Sequence, residues 1–251
     1  LTTTPVNRAA DWFRAYKDNT GTTVRLVCLP HAGGAPTAFL GWQPLLPDHV
    51  QVLAACYPGR QYRLLEPCLP SMNPMADAIT AAMAPYLDLP IAIFGHSMGS
   101  AIGYEVALRL EQRHGVRPVQ LFVSGRAAPH RVTPTAVHED SDAALLAQVR
   151  SLGGTESAVL EHPELRELLL PSLRADYTLI ETYRPAPSQA RTVGAPIVGF
   201  LGDTDPACTP EQFDSWSELT TDTFESHIYP GGHFFLTDHE KDLVSDIASR
   251  L

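Results

Sequence analysis

The chain has little that would place it in a membrane, on nucleic acid or outside the cell. No apolar run approaches the ~18 residues of a membrane span. Positive charge is scarce: 18 Lys and Arg stand against 28 Asp and Glu, a net −10 that speaks against a nucleic-acid partner. Cysteine is sparse too. Cys28, Cys56, Cys68 and Cys208 are scattered without a C-x-x-C pair, which argues against a zinc site and fits a reducing cytoplasm. The opening LTTTPVNRAADWFRAYKDN lacks the basic-then-apolar pattern of a secretory signal, and its first residue, Leu1 rather than Met, points to a trimmed sequence. No internal repeat, linker-like stretch or low-complexity segment interrupts the chain. What is present is a 251-residue sequence, 44% hydrophobic and 18% charged, long enough for one well-buried domain spanning residues 1–251.

The richest stretch is IAIFGHSMGSAIGYEVALRL, Ile91 to Leu110. Ile91 to Phe94 reads as a strand buried on both faces of a parallel sheet, and Ile102, Val106, Ala107 and Leu110 recur at helical spacing. Between them Gly95, His96, Ser97, Met98 and Gly99 form G-x-S-x-G, the pattern of a nucleophile elbow. The pattern alone arises by composition in roughly one chain in ten of this length. A strand before it and a helix after it are what give it weight. The glycines allow a turn too tight for side chains, Ser97 stands at its tip, and the N–H of Met98 is available to a developing oxyanion.

Val24 to Leu29 is an earlier strand that runs into Pro30, His31, Ala32, Gly33 and Gly34, a loop suited to close backbone approach to a ligand. The second oxyanion donor is expected here, on the N–H of Ala32, with His31 as a packing residue. Val50 to Cys56 gives the next strand. Asn73-Pro74 is expected to open a helix that Pro85 ends or kinks, and Val119 to Ser124 gives a further strand. Strand and helix alternate, which predicts an α/β fold with a mostly parallel sheet covered by helices on both faces.

From Arg126 to Ala195 no convincing strand appears. Ser141 caps a helix stopped by Gly153-Gly154, and two more helical pieces are expected at Pro163–Leu170 and Pro171–Tyr183. So long a helical insertion is expected to act as a lid over the active site. Ile197 to Leu201 restores the sheet and leads into Gly202-Asp203-Thr204-Asp205-Pro206. A capping box begins at Thr209, and Phe224 to Tyr229 is the last strand, ending in Pro230-Gly231-Gly232-His233. A second capping box is expected at Thr237–Glu240. The final helix keeps its apolar face to Leu251, so the natural protein is expected to extend further.

A serine hydroxyl needs a base. Of ten histidines, His233 follows a strand, in a Gly-Gly turn, at the sheet edge expected to carry Ser97. The carboxylate that would orient it is Asp203 or Asp205, which share a loop and which local chemistry does not separate.

LPHAGG at 29–34, YPGR at 57–60, GHSMG at 95–99, LFVSGRAAP at 121–129, LRADY at 173–177, GDTDP at 202–206 and PGGHFFL at 230–236 together resemble the type II thioesterases. These are free-standing α/β-hydrolases that accompany polyketide synthases and nonribosomal peptide synthetases. The resemblance spans nearly the whole chain. It implies Ser97 as nucleophile, His233 as base and Asp205 as the orienting acid. It also implies hydrolysis of acyl groups from the phosphopantetheine arm of an acyl or peptidyl carrier protein, with no metal or other cofactor. The competing expectations are a lipase or esterase with the same residues, a terminal thioesterase domain of a megasynthase, and a non-catalytic binding protein on the same scaffold.

Overall fold

In a computed structural model describing residues 9–153 and 162–251, the apolar runs become a seven-stranded sheet ordered β1-β3-β2-β4-β5-β6-β7. The strands are β1 Phe13–Ala15, β2 Val24–Leu29, β3 Val50–Ala55, β4 Ile91–His96, β5 Gln120–Ser124, β6 Ile197–Gly202 and β7 Phe224–Tyr229. Every residue of β2 to β6 is buried, as the unalternating sequences require of strands covered on both sides. All pairings are parallel except β1 with β3, where Phe13 faces Ala55.

The helices are α1 Ala9–Trp12, α2 Met72–Met83, α3 Met98–Arg109, α4 Asp142–Leu152, α5 Pro163–Thr182, α6 Pro210–Phe213, α7 Phe235–Asp238 and α8 Glu240–Ala248. Alternate strand residues feed two cores. Val27, Leu29, Ile93 and Val123 pack with Met75, Ile79 and Ile102 of α2 and α3. Leu26, Cys28, Phe94 and Phe200 pack with Trp42, Leu243 and Ile247 on the other face. Chain order carries β2 out to β3 and then back past β2 to β4, so the connections part company between β2 and β4. In open α/β sheets that point, at the carboxyl ends of the strands, is where ligands bind.

Several local expectations are corrected. The antiparallel edge strand β1 was not predicted. Helix α2 starts at Met72 behind Ser71, not at an Asn73 cap, and Asn73 Oδ1 instead accepts from Arg109 Nη2 at 2.8 Å. Helix α5 runs unbroken through Pro171, because the buried Leu173, Leu179 and Ile180 anchor its second half. Thr237–Glu240 is not a capping box: Thr237 lies inside α7, where its N–H donates to Phe234 O, and the helix is interrupted at His239. The box at Thr209 is present with both of its hydrogen bonds, and Ser141 Oγ caps α4 from the Ala144 N–H. Gly153 ends α4, while Gly154 lies outside the described residues.

Between β5 and β6 lie α4 and α5. Leu145, Leu146, Leu173 and Tyr177 form a small core of their own, against which Ala32 packs. Leu179 and Ile180 belong to the main core.

Candidate active site

Ser97 ends β4 and begins α3 with φ 54° and ψ −114°, a backbone that L-residues avoid. The flanking glycines explain how the chain gets there. A Cβ on Gly95 would lie 2.1 Å from the Gly99 carbonyl oxygen, and one on Gly99 would lie 2.0 Å from that of Leu29. Strand β2, the elbow and α3 are thus in backbone contact, and only glycine fits at both places. The Ser97 N–H donates to Ser124 O at 2.7 Å, and Ser100 Oγ accepts from the Ser124 N–H at 2.9 Å. Met98 is the first residue of α3, so its N–H is among those a helix leaves without an internal acceptor.

Across the switch point, the residues after β2 make a tight turn closed by the Gly34 N–H donating to His31 O at 2.9 Å. His31 packs edge-on against Phe234, with ring centroids 4.8 Å apart.

The two aspartates of the β6 loop are told apart by what they meet. Asp205, with its side chain fully buried, accepts from His233 Nδ1 at 2.9 Å (Oδ2) and 3.1 Å (Oδ1). A carboxylate only accepts, so the Nδ1 proton is on the histidine. Asp205 Oδ1 also accepts from the Ala207 N–H at 2.8 Å. Asp203 instead accepts from the Gly231 N–H at 2.9 Å and ties the loop carrying His233 to the end of β6. That loop lies so close that a Cβ on Gly202 would sit 2.3 Å from Gly232 O.

Ser97, Met98, Ala32 and His233 border one cavity of about 350 Å³. Val149 and Leu152 of α4 and Tyr177 and Ile180 of α5 supply another part of its wall. Cys208 also lines that wall. Burial, and then the charge of Asp205, push its thiol up to about 12, so it stays protonated and unreactive. Among the described residues no cluster of His, Cys, Asp and Glu could hold a metal ion.

Two residues of the site carry no role in the sequence reading. His96 is fully buried at the elbow, its Nδ1 2.9 Å from Ser124 Oγ and its ring 5.1 Å from that of His233. Burial above all, then His233 and His31, hold it well below the ordinary histidine pKa, so it is neutral. Its position as the variable residue of G-x-S-x-G offered no signal. Arg126 also lines the cavity, its Nη2 reaching Ile180 O at 3.4 Å, and burial lowers its pKa to about 10. Arg126 lay in a quoted motif, but nothing in the sequence said which way it would face.

Parallel sheet, elbow and cavity at the switch point define an α/β-hydrolase. Residues 24–251 match the thioesterase domain family, and the chain belongs to that family. Thioesterase PikA5 of Streptomyces venezuelae is 42% identical over 96% of this chain and 85% of its own. Among solved structures, the type II thioesterase BorB of the borrelidin biosynthetic cluster superposes with a TM-score of 0.87 at 37% identity, covering 96% of this chain and 97% of that one. RedJ, a thioesterase of the prodiginine pathway in Streptomyces coelicolor, gives 0.85 at 39%, covering 93% and 88%. The resemblance read from the motifs is borne out: this is a type II thioesterase, a thioester hydrolase.

Proposed function

We propose that the protein clears acyl groups from the phosphopantetheine arm of an acyl or peptidyl carrier protein in polyketide or nonribosomal peptide assembly, working in the cytoplasm. The reaction runs through a Ser97-His233-Asp205 triad. The observation that carries the mechanism is the buried Asp205–His233 bond beside the cavity that Ser97 borders. Asp205 fixes the tautomer that leaves Nε2 as the basic nitrogen and stabilises the imidazolium once it forms.

His233 takes the Ser97 proton as Oγ adds to the thioester carbonyl. The N–H groups of Met98 and Ala32 receive the oxyanion, and collapse expels the pantetheine thiolate, which His233 protonates. A thiol of pKa near ~8.5 leaves easily, so no metal is needed to activate it. His233 then deprotonates a water as it attacks the acyl-enzyme, and gives that proton to Ser97 Oγ as the acyl–Oγ bond breaks and the acid is released. The segment 126–195 acts as a helical lid, selecting the acyl group through Val149, Leu152, Tyr177 and Ile180 and admitting the arm. Support for the carrier as partner comes from relatives that serve such biosynthetic pathways.

The test pairs a fluorophosphonate probe with carrier-bound substrates. The probe should add to Ser97, and Ser97→Ala should lose hydrolysis by several orders of magnitude with its fold intact. Labelling elsewhere or normal turnover in that variant removes the triad. Faster turnover of a p-nitrophenyl ester than of any acyl-loaded carrier removes the carrier-directed reading in favour of an esterase.

A further inference from the structure

Two motifs to which the reaction assigns no task meet inside the molecule. Arg60 closes the YPGR stretch after β3, and Asp176 lies on α5 within LRADY. They are 3% and 1% exposed, and they face each other as a fork: Nη1 to Oδ2 at 2.7 Å, Nη2 to Oδ1 at 2.8 Å. Both partners also hold the turn after β2. Asp176 Oδ2 accepts from the Gly33 N–H at 2.8 Å, and Arg60 Nη1 donates to the Gly34 carbonyl at 3.0 Å. Beneath them the Tyr57 hydroxyl donates to Pro30 O at 3.1 Å, with its ring 5.2 Å from the Arg60 guanidinium.

The turn has Gly33 at φ +80° in its third position and a bond from Gly34 N–H to His31 O, the signature of type II. Types I and II differ chiefly by a flip of the central peptide, here Ala32–Gly33. The N–H of that peptide is the one Asp176 holds. The flip itself leaves the Ala32 N–H, one peptide earlier, unmoved; what places that N–H is the anchoring of the turn as a whole, at Gly33 by Asp176 and at Gly34 by Arg60. As a source of stability the pair is a poor arrangement. Buried ion pairs roughly break even against apolar replacements, and Arg60 Nε is buried with no hydrogen-bond partner among the described residues. What such a fork does supply is direction.

We propose that Arg60 and Asp176 are positioning residues for the thioesterase reaction. They lock the turn so that the Ala32 N–H faces the oxyanion, and they make that half of the hole depend on the seating of α5. The same helix places Tyr177 and Ile180 in the cavity wall, so acyl selection and oxyanion binding share one support. The inference rests on Ala32 being an oxyanion donor, as proposed above.

The test replaces the pair by apolar residues of similar size, Arg60→Met with Asp176→Leu, a change that buried pairs tolerate without unfolding. Thioester turnover is measured beside inhibition by an alkyl boronic acid, whose tetrahedral adduct on Ser97 places an anionic oxygen in the hole. The expected result is a 10- to 100-fold fall in kcat, below the ~10²–10³-fold known for loss of a whole donor because here the donor is misaimed and not removed. KM should stay within about twofold, and boronate affinity should weaken by the same factor as kcat. Arg60→Lys keeps the buried charge but loses the fork. It should show the same pattern in smaller degree, and it decides the matter if the double variant does not fold.

Unchanged kcat and boronate affinity in a folded variant, whatever its melting temperature, overturn the proposal. So does a fall in kcat without loss of boronate affinity. Ser97→Ala, run in parallel, separates the two levels. If it still turns over, the reading of the whole site fails; if it is dead while the pair variants behave as wild type, only the role of the pair fails.

Discussion

Acid should destabilise this protein through His96, by an amount that can be worked out. The ring is fully buried against Ser124, His31 and His233, and its pKa lies well below 6.5 in the fold. Unfolded, it titrates near ~6.5. Between those two values the unfolded chain binds the proton and the folded chain does not, so stability rises with pH there and falls on acidification. With no protonation in the native state, the loss between pH 7.5 and pH 5.5 is on the order of 1 kcal/mol, nearly all of it below pH 7. Urea unfolding of wild type and His96→Asn at both pH values isolates it. The asparagine lowers stability at every pH through lost packing, but that offset cancels in the pH difference. Every other titrating group is common to the two proteins. Wild type should therefore lose on the order of 1 kcal/mol more than the variant on acidification. Equal losses would show that His96 is protonated in the native state, and the argument from its burial would be wrong.

Gly99→Ala drives a Cβ to 2.0 Å from the Leu29 carbonyl oxygen, a backbone atom that cannot rotate away. Overpacking of this kind should cost at least about 3 kcal/mol, a melting temperature lower by roughly 6–12 °C; a shift under ~2 °C would refute the contact. Asp205→Asn should cut kcat on the order of 10⁴-fold at nearly unchanged melting temperature. Asp203→Ala, which strands the Gly231 N–H, should cost about 1 kcal/mol with a small effect on kcat; swapped behaviour would reverse their roles. Val149→Trp should slow long acyl chains more than short ones. Leu146→Trp, in the core between α4 and α5 rather than the cavity wall, should lower stability without that bias. Equal slowing of all chain lengths by Val149→Trp would make the helices a packing subdomain and not a selector.

What could be read from the sequence was whatever a local pattern encodes. Val24–Leu29, Ile91–His96 and Ile197–Gly202 announce a doubly covered sheet because nothing in them alternates, and glycine around Ser97 announces a turn. The edge strand Phe13–Ala15 was missed because it is three residues long and mostly exposed, with no apolar period to detect. Pro171 suggested two helices, since local preference counts the lost N–H but not the core that holds both sides of it. Local chemistry left Asp203 and Asp205 equivalent, and the family resemblance alone favoured Asp205. The folded loop gives the physical difference, one meeting an imidazole and the other a backbone N–H. Arg60 and Asp176 lie 116 positions apart, and no local window can pair them.

The geometry at Ser97 also sets the direction in which this protein changes most easily. A non-glycine residue at φ 54° and ψ −114° costs about 1–3 kcal/mol, against a total stability of roughly 5–15. Glycine would occupy the same backbone without that penalty, offset in part by about 0.5–1 kcal/mol of its own chain entropy. Ser97→Gly should thus match or exceed the wild-type urea midpoint; a midpoint clearly below it would mean that the elbow is not strained. The inert variant is then the sturdier one, and it tolerates further substitutions that would unfold the active protein. Drift at this position runs downhill away from hydrolysis, and activity persists only under selection that opposes the descent.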